Sequence, residues 1–343
     1  MPGKPTLRSG PISRRKLLRS AAAGGAAISA TAIGSKIFAP AVAQAPAKVR
    51  IAWTEVAACH APLGFGVDKG FYKKHGVDVE LFYQGASGQT LIQALATNKA
   101  DIGAGLVLDW LKPLEQGFDV KLFVGSHGGC QRLLASEASG ITDIKQVAGK
   151  RIASYDVASP PKIAFQVTLA RNGIDPEQGV EWVTVPFDIV GEAVKRGDAD
   201  LAAHLDPWAY SIQKQFGLKL IADTQTGIYQ DAVCCVLGAN GPFLKDNPDA
   251  VRRVAQANLE IHEYTANHPD EVADWYLKAL NPGLPRADLV EILAGIVYHN
   301  HPVGEPLIKE IKRAADDLKL TKVLDAATDA DEFARRVTID ILA

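Results

Sequence analysis

The side chains with the widest chemical range in this sequence are four cysteines and eight histidines. Cys59 is followed directly by His60, His127 stands three residues before Cys130, Cys234 and Cys235 are adjacent, and His299 and His301 flank Asn300. Thiolate and imidazole can act as nucleophile and base, as metal ligands, or, for the thiols, as disulfide partners. The spacings discourage each use. Adjacent residues such as Cys59 and His60 rarely form a nucleophile–base pair. The His127/Cys130 spacing has no second pair to complete a metal site. Position 56 is Val, which excludes a C-x-x-C-H haem attachment. His299 and His301 read as a surface pair at a helix end. No G-x-S-x-G, H-E-x-x-H or G-x-x-x-x-G-K-[ST] occurs. Four cysteines allow three disulfide connectivities, but a core of this size needs no staples, so buried free thiols are expected. No metal and no cofactor is expected.

A second group of residues points to non-covalent capture. Small, hydroxylic and aromatic residues recur where a strand meets a helix: Trp53-Thr54, Ser87-Gly88, His127, Ser159 ahead of two prolines, and Asp206 and Trp208 around Pro207. Helix starts present free N–H groups and a partial positive charge, which suits an anion. Each residue also has a structural reading. Trp53 can be core packing, Ser87 and Asp206 can be plain helix N-caps, and His127 can be a satisfied loop histidine. Asp206 could instead hold a ligand ammonium or amide. Arg132 and Arg151 could meet an anion or face elsewhere.

These residues need a scaffold, and the hydrophobic pattern supplies one. Strands are expected at 49–53, 77–83, 101–106 and 120–126, with helices at 62–74, 89–97 and 108–116 between them. The pattern restarts with strands at 151–154, 180–185, 201–205, 218–222 and 232–237, and helices at 161–172, 189–196 and 207–216. Residues 247–343 read as largely helical. Alternation of this kind gives α/β units with mostly parallel sheets wrapped by helices, whose ligands bind beyond the carboxyl ends of the strands.

The 343 residues are 47% hydrophobic and 22% charged, a globular composition whose length suggests about two domains. The net charge of −2 hides an asymmetry. Residues 1–43 carry seven basic and no acidic residues, leaving 30 basic and 39 acidic residues, a net of −9, in the remainder. That balance offers nothing for nucleic acid. Ser13-Arg14-Arg15-Lys16-Leu17-Leu18, an Ala/Gly-rich mildly apolar stretch and Ala41-Val42-Ala43 together read as a signal peptide of the twin-arginine type, cleaved near Ala43. The expected location is the periplasm, reached through the twin-arginine export machinery.

The segment Gly70-Phe71-Tyr72-Lys73-Lys74-His75-Gly76-Val77-Asp78-Val79 resembles the G-F-[FY]-K-K-x-G-[LV]-x-V signature of the solute-binding proteins that serve ABC importers of nitrate, taurine, alkanesulfonates and thiamine pyrimidine precursors. Asn98-Lys99-Ala100-Asp101-Ile102-Gly103, Ala148-Gly149-Lys150-Arg151-Ile152 and Arg196-Gly197-Asp198-Ala199-Asp200 resemble further steps of that family, in the same order. The resemblance implies a type II periplasmic binding protein fold of two lobes: residues 48–130 plus 230–343 as the first, 131–229 as the second. It implies a monomer that closes over a small anionic or zwitterionic ligand, with ABC permease and ATPase subunits as partners, and no catalysis. One relative of the fold is a desulfinase with a cysteine nucleophile, which keeps a cysteine-dependent enzyme using Cys59 as the alternative. Another carries a C-C-C-F-C run, which the isolated Cys234-Cys235 pair does not reproduce. Trp53 and Trp208 lean the ligand towards an organic sulfonate, carboxylate or heterocycle.

Overall fold

The computed structural model describes residues 46–83 and 85–343. The twin-arginine segment and the expected cleavage site lie outside the described residues. No helix among the described residues is long and apolar enough to cross a membrane.

Among the described residues, ten strands form two five-stranded sheets. The first sheet contains β1 (Ala47–Trp53), β2 (Val77–Tyr83), β3 (Ile102–Leu106) and β4 (Val120–His127). The second contains β5 (Gln131–Ala135), β6 (Arg151–Ser154), β7 (Glu181–Thr184), β8 (Leu201–Leu205) and β9 (Lys219–Asp223). The last strand, β10 (Cys235–Asn240), returns to the first sheet. The orders are β2-β1-β3-β10-β4 and β7-β6-β8-β5-β9. Both share one plan, in which three parallel strands abut a reversed strand and the reversed strand pairs with an edge strand. Four strands of each sheet therefore run one way, in line with the mostly parallel α/β expectation.

The reversed strand of each sheet is the one the chain enters on crossing from the other sheet. The first crossing joins β4 to β5 through residues 128–130, and the second joins β9 to β10 through 224–234. The two crossings touch. Thr224 N–H donates to Gln131 O (3.1 Å), Gln131 N–H donates to Thr224 Oγ1 (3.0 Å), and Gln225 Nε2 donates to Gly129 O (3.2 Å). Gly129 is needed here, because a Cβ at that position would lie 1.8 Å from the Thr224 carbonyl oxygen.

Several expected elements shift for physical reasons. The helix expected over 62–74 is two helices, Ala61–Asp68 and Phe71–Lys74, because Gly70 takes φ 79° between them. β5 was not foreseen: five residues with an almost continuously buried pattern show no alternation. The strand expected at 232–237 begins at Cys235, because apolar Ala232–Cys234 belong to the crossing. Helices Pro248–Asn267, Pro269–Leu280, Arg286–Gly295, Gly304–Leu320 and Ala330–Val337 make up most of the C-terminal third. Buried apolar clusters fill both sides of each sheet, and a further one gathers Cys59, Cys130, Leu205, Tyr210, Tyr276 and Tyr298 where the two sheets' ends meet.

Candidate functional site

A cavity of about 30 Å³ lies at that meeting point, lined by Thr54, Cys59, His60, Cys130, Gln131 and Cys235 among others. Its walls come from the ends of β1, β5 and β10 and from the 3-10 turn Ala58–His60. It is roomy enough for a water or two, and too small as it stands for an organic ligand. Thr54 N–H donates to His60 Nδ1 (3.1 Å), and Thr54 Oγ1 donates to Gly85 O (3.0 Å). Gln131 is 3% exposed, and its Oε1 is buried without a partner. A buried polar atom left unpaired costs stability, and the same side-chain amide also carries an N–H2 group that can donate to an anion.

The expected site residues are distributed around this cavity rather than all in it. Thr54 lines it. Ser87 sits at the N-cap of the helix Gly88–Ala96, yet its side chain makes no capping bond and instead reaches Asp156 Oδ1 at 3.5 Å. With Tyr155 Oη donating to Ala86 O (3.3 Å), this contact joins the two halves beside the cavity. At Gly88 a Cβ would lie 2.5 Å from the carboxyl carbon of Asp109. The chain's own carboxyl therefore occupies the approach to this helix start where an anion was expected. Burial pushes that carboxyl well above the usual range, and its Oδ1 has no partner. Ser159 is fully buried and pairs with Ser154 Oγ (2.6 Å).

Asp206 is spent internally. Its carboxylate accepts from Arg132 Nε (2.9 and 3.1 Å) and from Tyr210 N–H (3.1 Å). Burial raises its pKa, and the Arg132 guanidinium opposes that rise. Arg151 pairs with Asp200. The Trp53 ring packs into the first sheet's core, its Cη2 2.9 Å from where a Gly64 Cβ would be. Trp208 stacks edge-on to Phe187 with centroids 5.5 Å apart, and its Nε1 is buried and unpartnered.

The cysteines and histidines behave unlike their spacing suggested. All four cysteines are buried free thiols. They come together: Cys130 Sγ donates to Cys59 Sγ at 3.1 Å, and Cys235 and Cys234 adjoin them. The imidazole that answers Cys59 is His127, not the adjacent His60. Burial opposes charge on His127, but the Cys59 thiolate outweighs it and raises the ring to about 9. Burial lowers His60. Burial also opposes the Cys59 thiolate, but contacts from Cys130 and Cys235 and the charge of His127 take its pKa well below the ordinary thiol value. His301 is half-buried: its ring stacks on buried His262 at 5.2 Å, and its Nδ1 lies 3.0 Å from Ser126 O. Gln131 was missed with β5, and the thiol cluster was missed because its members lie 71 to 176 positions apart in the chain, except for the Cys234-Cys235 pair.

The family model described as NMT1/THI5 like matches residues 57–272. The chain belongs to the NMT1/THI5-like family. This NMT1/THI5-like chain is similar to the bicarbonate-binding protein CmpA of Synechococcus elongatus, 25% identical over 290 residues that cover 75% of the chain and 60% of CmpA. It spans 36% to 60% of the length of the bicarbonate transport relatives it matches. Among solved structures it is similar to the alkanesulfonate-binding protein SsuA of Xanthomonas axonopodis bound to MOPS, with TM-score 0.71, 17% identity and coverage of 86% of this chain and 99% of that one. It is also similar to the periplasmic nitrate-binding protein NrtA of Synechocystis, with TM-score 0.70, 16% identity and coverage of 85% and 86%. The fold of this NMT1/THI5-like protein is thus the two-lobed α/β fold of periplasmic binding proteins.

Proposed function

We propose that the chain is the solute-binding component of an ABC importer and captures a small oxyanion of the bicarbonate, nitrate or sulfonate class between its two lobes. The observation that carries this reading is the paired sheets of one plan, joined by two touching crossings, with a polar-edged cavity at their junction in a chain of this family. The lobes divide near residues 128–131 and 224–234, and closure about these crossings gates the cavity. Thr54, His60 and Gln131 are the ligand-facing residues, and the Ser87–Asp156 and Tyr155–Ala86 contacts clasp the closed state. The net charge outside the leader is −9. Long-range attraction therefore does not gather the anion, and local donors in a desolvated cleft must do so. The leader directs twin-arginine export to the periplasm, where the mature monomer meets a permease and its ATPase.

A ligand that binds only the folded state raises stability by RT ln(1 + [L]/Kd), about 2.7 kcal/mol at a hundredfold excess over Kd. Thermal unfolding of the mature protein with bicarbonate, nitrate, taurine and an alkanesulfonate tests the reading. A rise with one class and not the others identifies the ligand class, whereas no rise with any of them overturns the proposal.

A further inference from the structure

We propose that Cys59, Cys234, Cys235 and His127 bind one thiophilic closed-shell metal ion, Zn²⁺ or Cu⁺, at the floor of the cleft, with Cys130 as a neighbouring thiol donor. This goes beyond the oxyanion reading and does not depend on it.

The fold assembles the donors from four places. His127 ends β4, Cys59 lies in the 3-10 turn after β1, Cys130 lies in the first crossing, and Cys234 and Cys235 lie where the second crossing enters β10. Pairing in the sheet sets Cys235 opposite His127, and Cys234 N–H donates to His127 O at 2.8 Å. The ligand atoms of His127, Cys234 and Cys235 lie within 4.8 Å of one another, as do those of Cys59, His60 and His127. A tetrahedral zinc site with Zn–S near 2.3 Å and Zn–N near 2.0 Å needs donor separations of roughly 3.5–3.8 Å, so the His127, Cys234 and Cys235 donors close in by up to about 1 Å and Cys59 joins them from the neighbouring group that shares His127.

Tautomers decide between the two imidazoles. His127 Nδ1 lies 2.6 Å from Gly128 O, an acceptor only, so Nδ1 carries the proton. That leaves Nε2, fully buried and facing the thiols, as the nitrogen that can bind a metal once its own proton is displaced. A backbone carbonyl holding the far nitrogen is the usual arrangement behind a metal-bound histidine. His60 is the reverse. Its Nδ1 accepts from Thr54 N–H, so the neutral ring carries its proton on Nε2. His127 is common to both groups, and with His60 set aside the remaining donors are three sulfurs and one nitrogen. No carboxylate belongs to either group, which disfavours Mg²⁺, Ca²⁺ and Mn²⁺ and favours ions that prefer sulfur. Cys130, donating its S–H to Cys59 at 3.1 Å, adjusts the basicity of that ligand. On binding, the coordinating thiols and the His127 Nε2 release the protons they carry to solvent, and no oxidation state changes.

The test uses the mature protein, reduced and freed of metal by a chelator, then titrated anaerobically with Co²⁺, with Zn²⁺, and with Cu⁺ against a competing chelator. The expected result is one equivalent bound per chain. With Co²⁺, thiolate-to-metal charge-transfer bands and the d–d bands of a tetrahedral site should appear and vanish on adding Zn²⁺. The zinc and copper competitions distinguish the two ions. Affinity should fall at least about a hundredfold in His127→Gln and in the Cys234→Ser/Cys235→Ser double variant, and by about tenfold or less in Cys130→Ser with unchanged stoichiometry. Alkylation in the wild type removes any dependence on the folding of variants: metal should slow modification of Cys59, Cys234 and Cys235 by about tenfold or more. Three results would overturn the proposal: no stoichiometric binding to the reduced protein, alkylation rates equal with and without metal, or affinity unchanged in both ligand variants. Anion-induced thermal shifts measured on the metal-free protein show separately whether the oxyanion reading stands.

Discussion

Replacing Gly129 by Ala should damage the junction of the two crossings more than its size suggests. A Cβ at this position would lie 1.8 Å from the Thr224 carbonyl oxygen, 2.2 Å from its carbon and 2.3 Å from its Oγ1. Ordinary van der Waals contact begins near 3.4 Å, so one crossing must retreat by the difference, 1.6 Å. The obstacle is backbone and cannot rotate away. A retreat of that size breaks the Gln131–Thr224 pair of hydrogen bonds and the Gln225–Gly129 bond. At about 1 kcal/mol for each of the three lost bonds and about 1–3 kcal/mol for overpacking, the expected loss is roughly 4–6 kcal/mol. Gly149→Ala is the control: its φ is 73° and nothing lies within 4 Å of its added methyl, so only the left-handed backbone penalty of about 1–2 kcal/mol remains. Urea unfolding at pH 7 reads both. A Gly129→Ala variant no less stable than Gly149→Ala would refute the argument that the crossings meet backbone to backbone.

Three further expectations follow from the geometry. Asp206→Ala strands the largely buried Arg132 guanidinium and should cost about 3–5 kcal/mol, with much of the loss recovered when Arg132→Met is added; chemical unfolding of the single and double variants checks this. His204 is 2% exposed, and burial lowers it from 6.5 to about 4. Its folded pKa is depressed, so the stability it contributes is present above 6.5 and is lost as pH falls from 6.5 towards 4, by about 3 kcal/mol in all; unfolding free energies measured at pH 7, 5.5 and 4 should show a shallower decline in His204→Gln, and parallel declines would count against it. Gln131→Leu removes the side-chain amide, whose N–H2 is the group that can donate to an oxyanion, from the cavity wall and should weaken oxyanion binding about tenfold or more while changing stability little, as titration calorimetry would show.

Much of the scaffold was legible because periodicity survives wherever an element is long or cleanly buried. β2, β6 and β8 fall where alternation or an apolar run placed them. Strand direction was not legible, since propensity carries no sign, and the two reversed strands β5 and β10 were respectively missed and set three residues early. Both follow a crossing, where apolar residues continue without belonging to a strand. Thr54 on the cavity wall and Ser87 beside it stand at strand-to-helix junctions, a local pattern that a sequence displays directly. Gln131 was hidden with β5. The ring around the thiols was hidden for a different reason: sequence spacing recognises ligands on one turn or hairpin, whereas Cys59, His127 and Cys234 are brought together by sheet order and by the return of β10. The aromatic lean in the ligand came from Trp53 and Trp208, and the packing of Trp53 against Gly64 removes one of its two supports.

The most direct measurement is titration calorimetry of the metal-free mature protein with bicarbonate, nitrate and an alkanesulfonate, in parallel with the Gln131→Leu variant. Binding by two lobes closing over one anion predicts one site per chain for one of these classes, with affinity markedly reduced in Gln131→Leu. The absence of heat with all three anions, or a tight site indifferent to Gln131, would contradict oxyanion capture at this cavity.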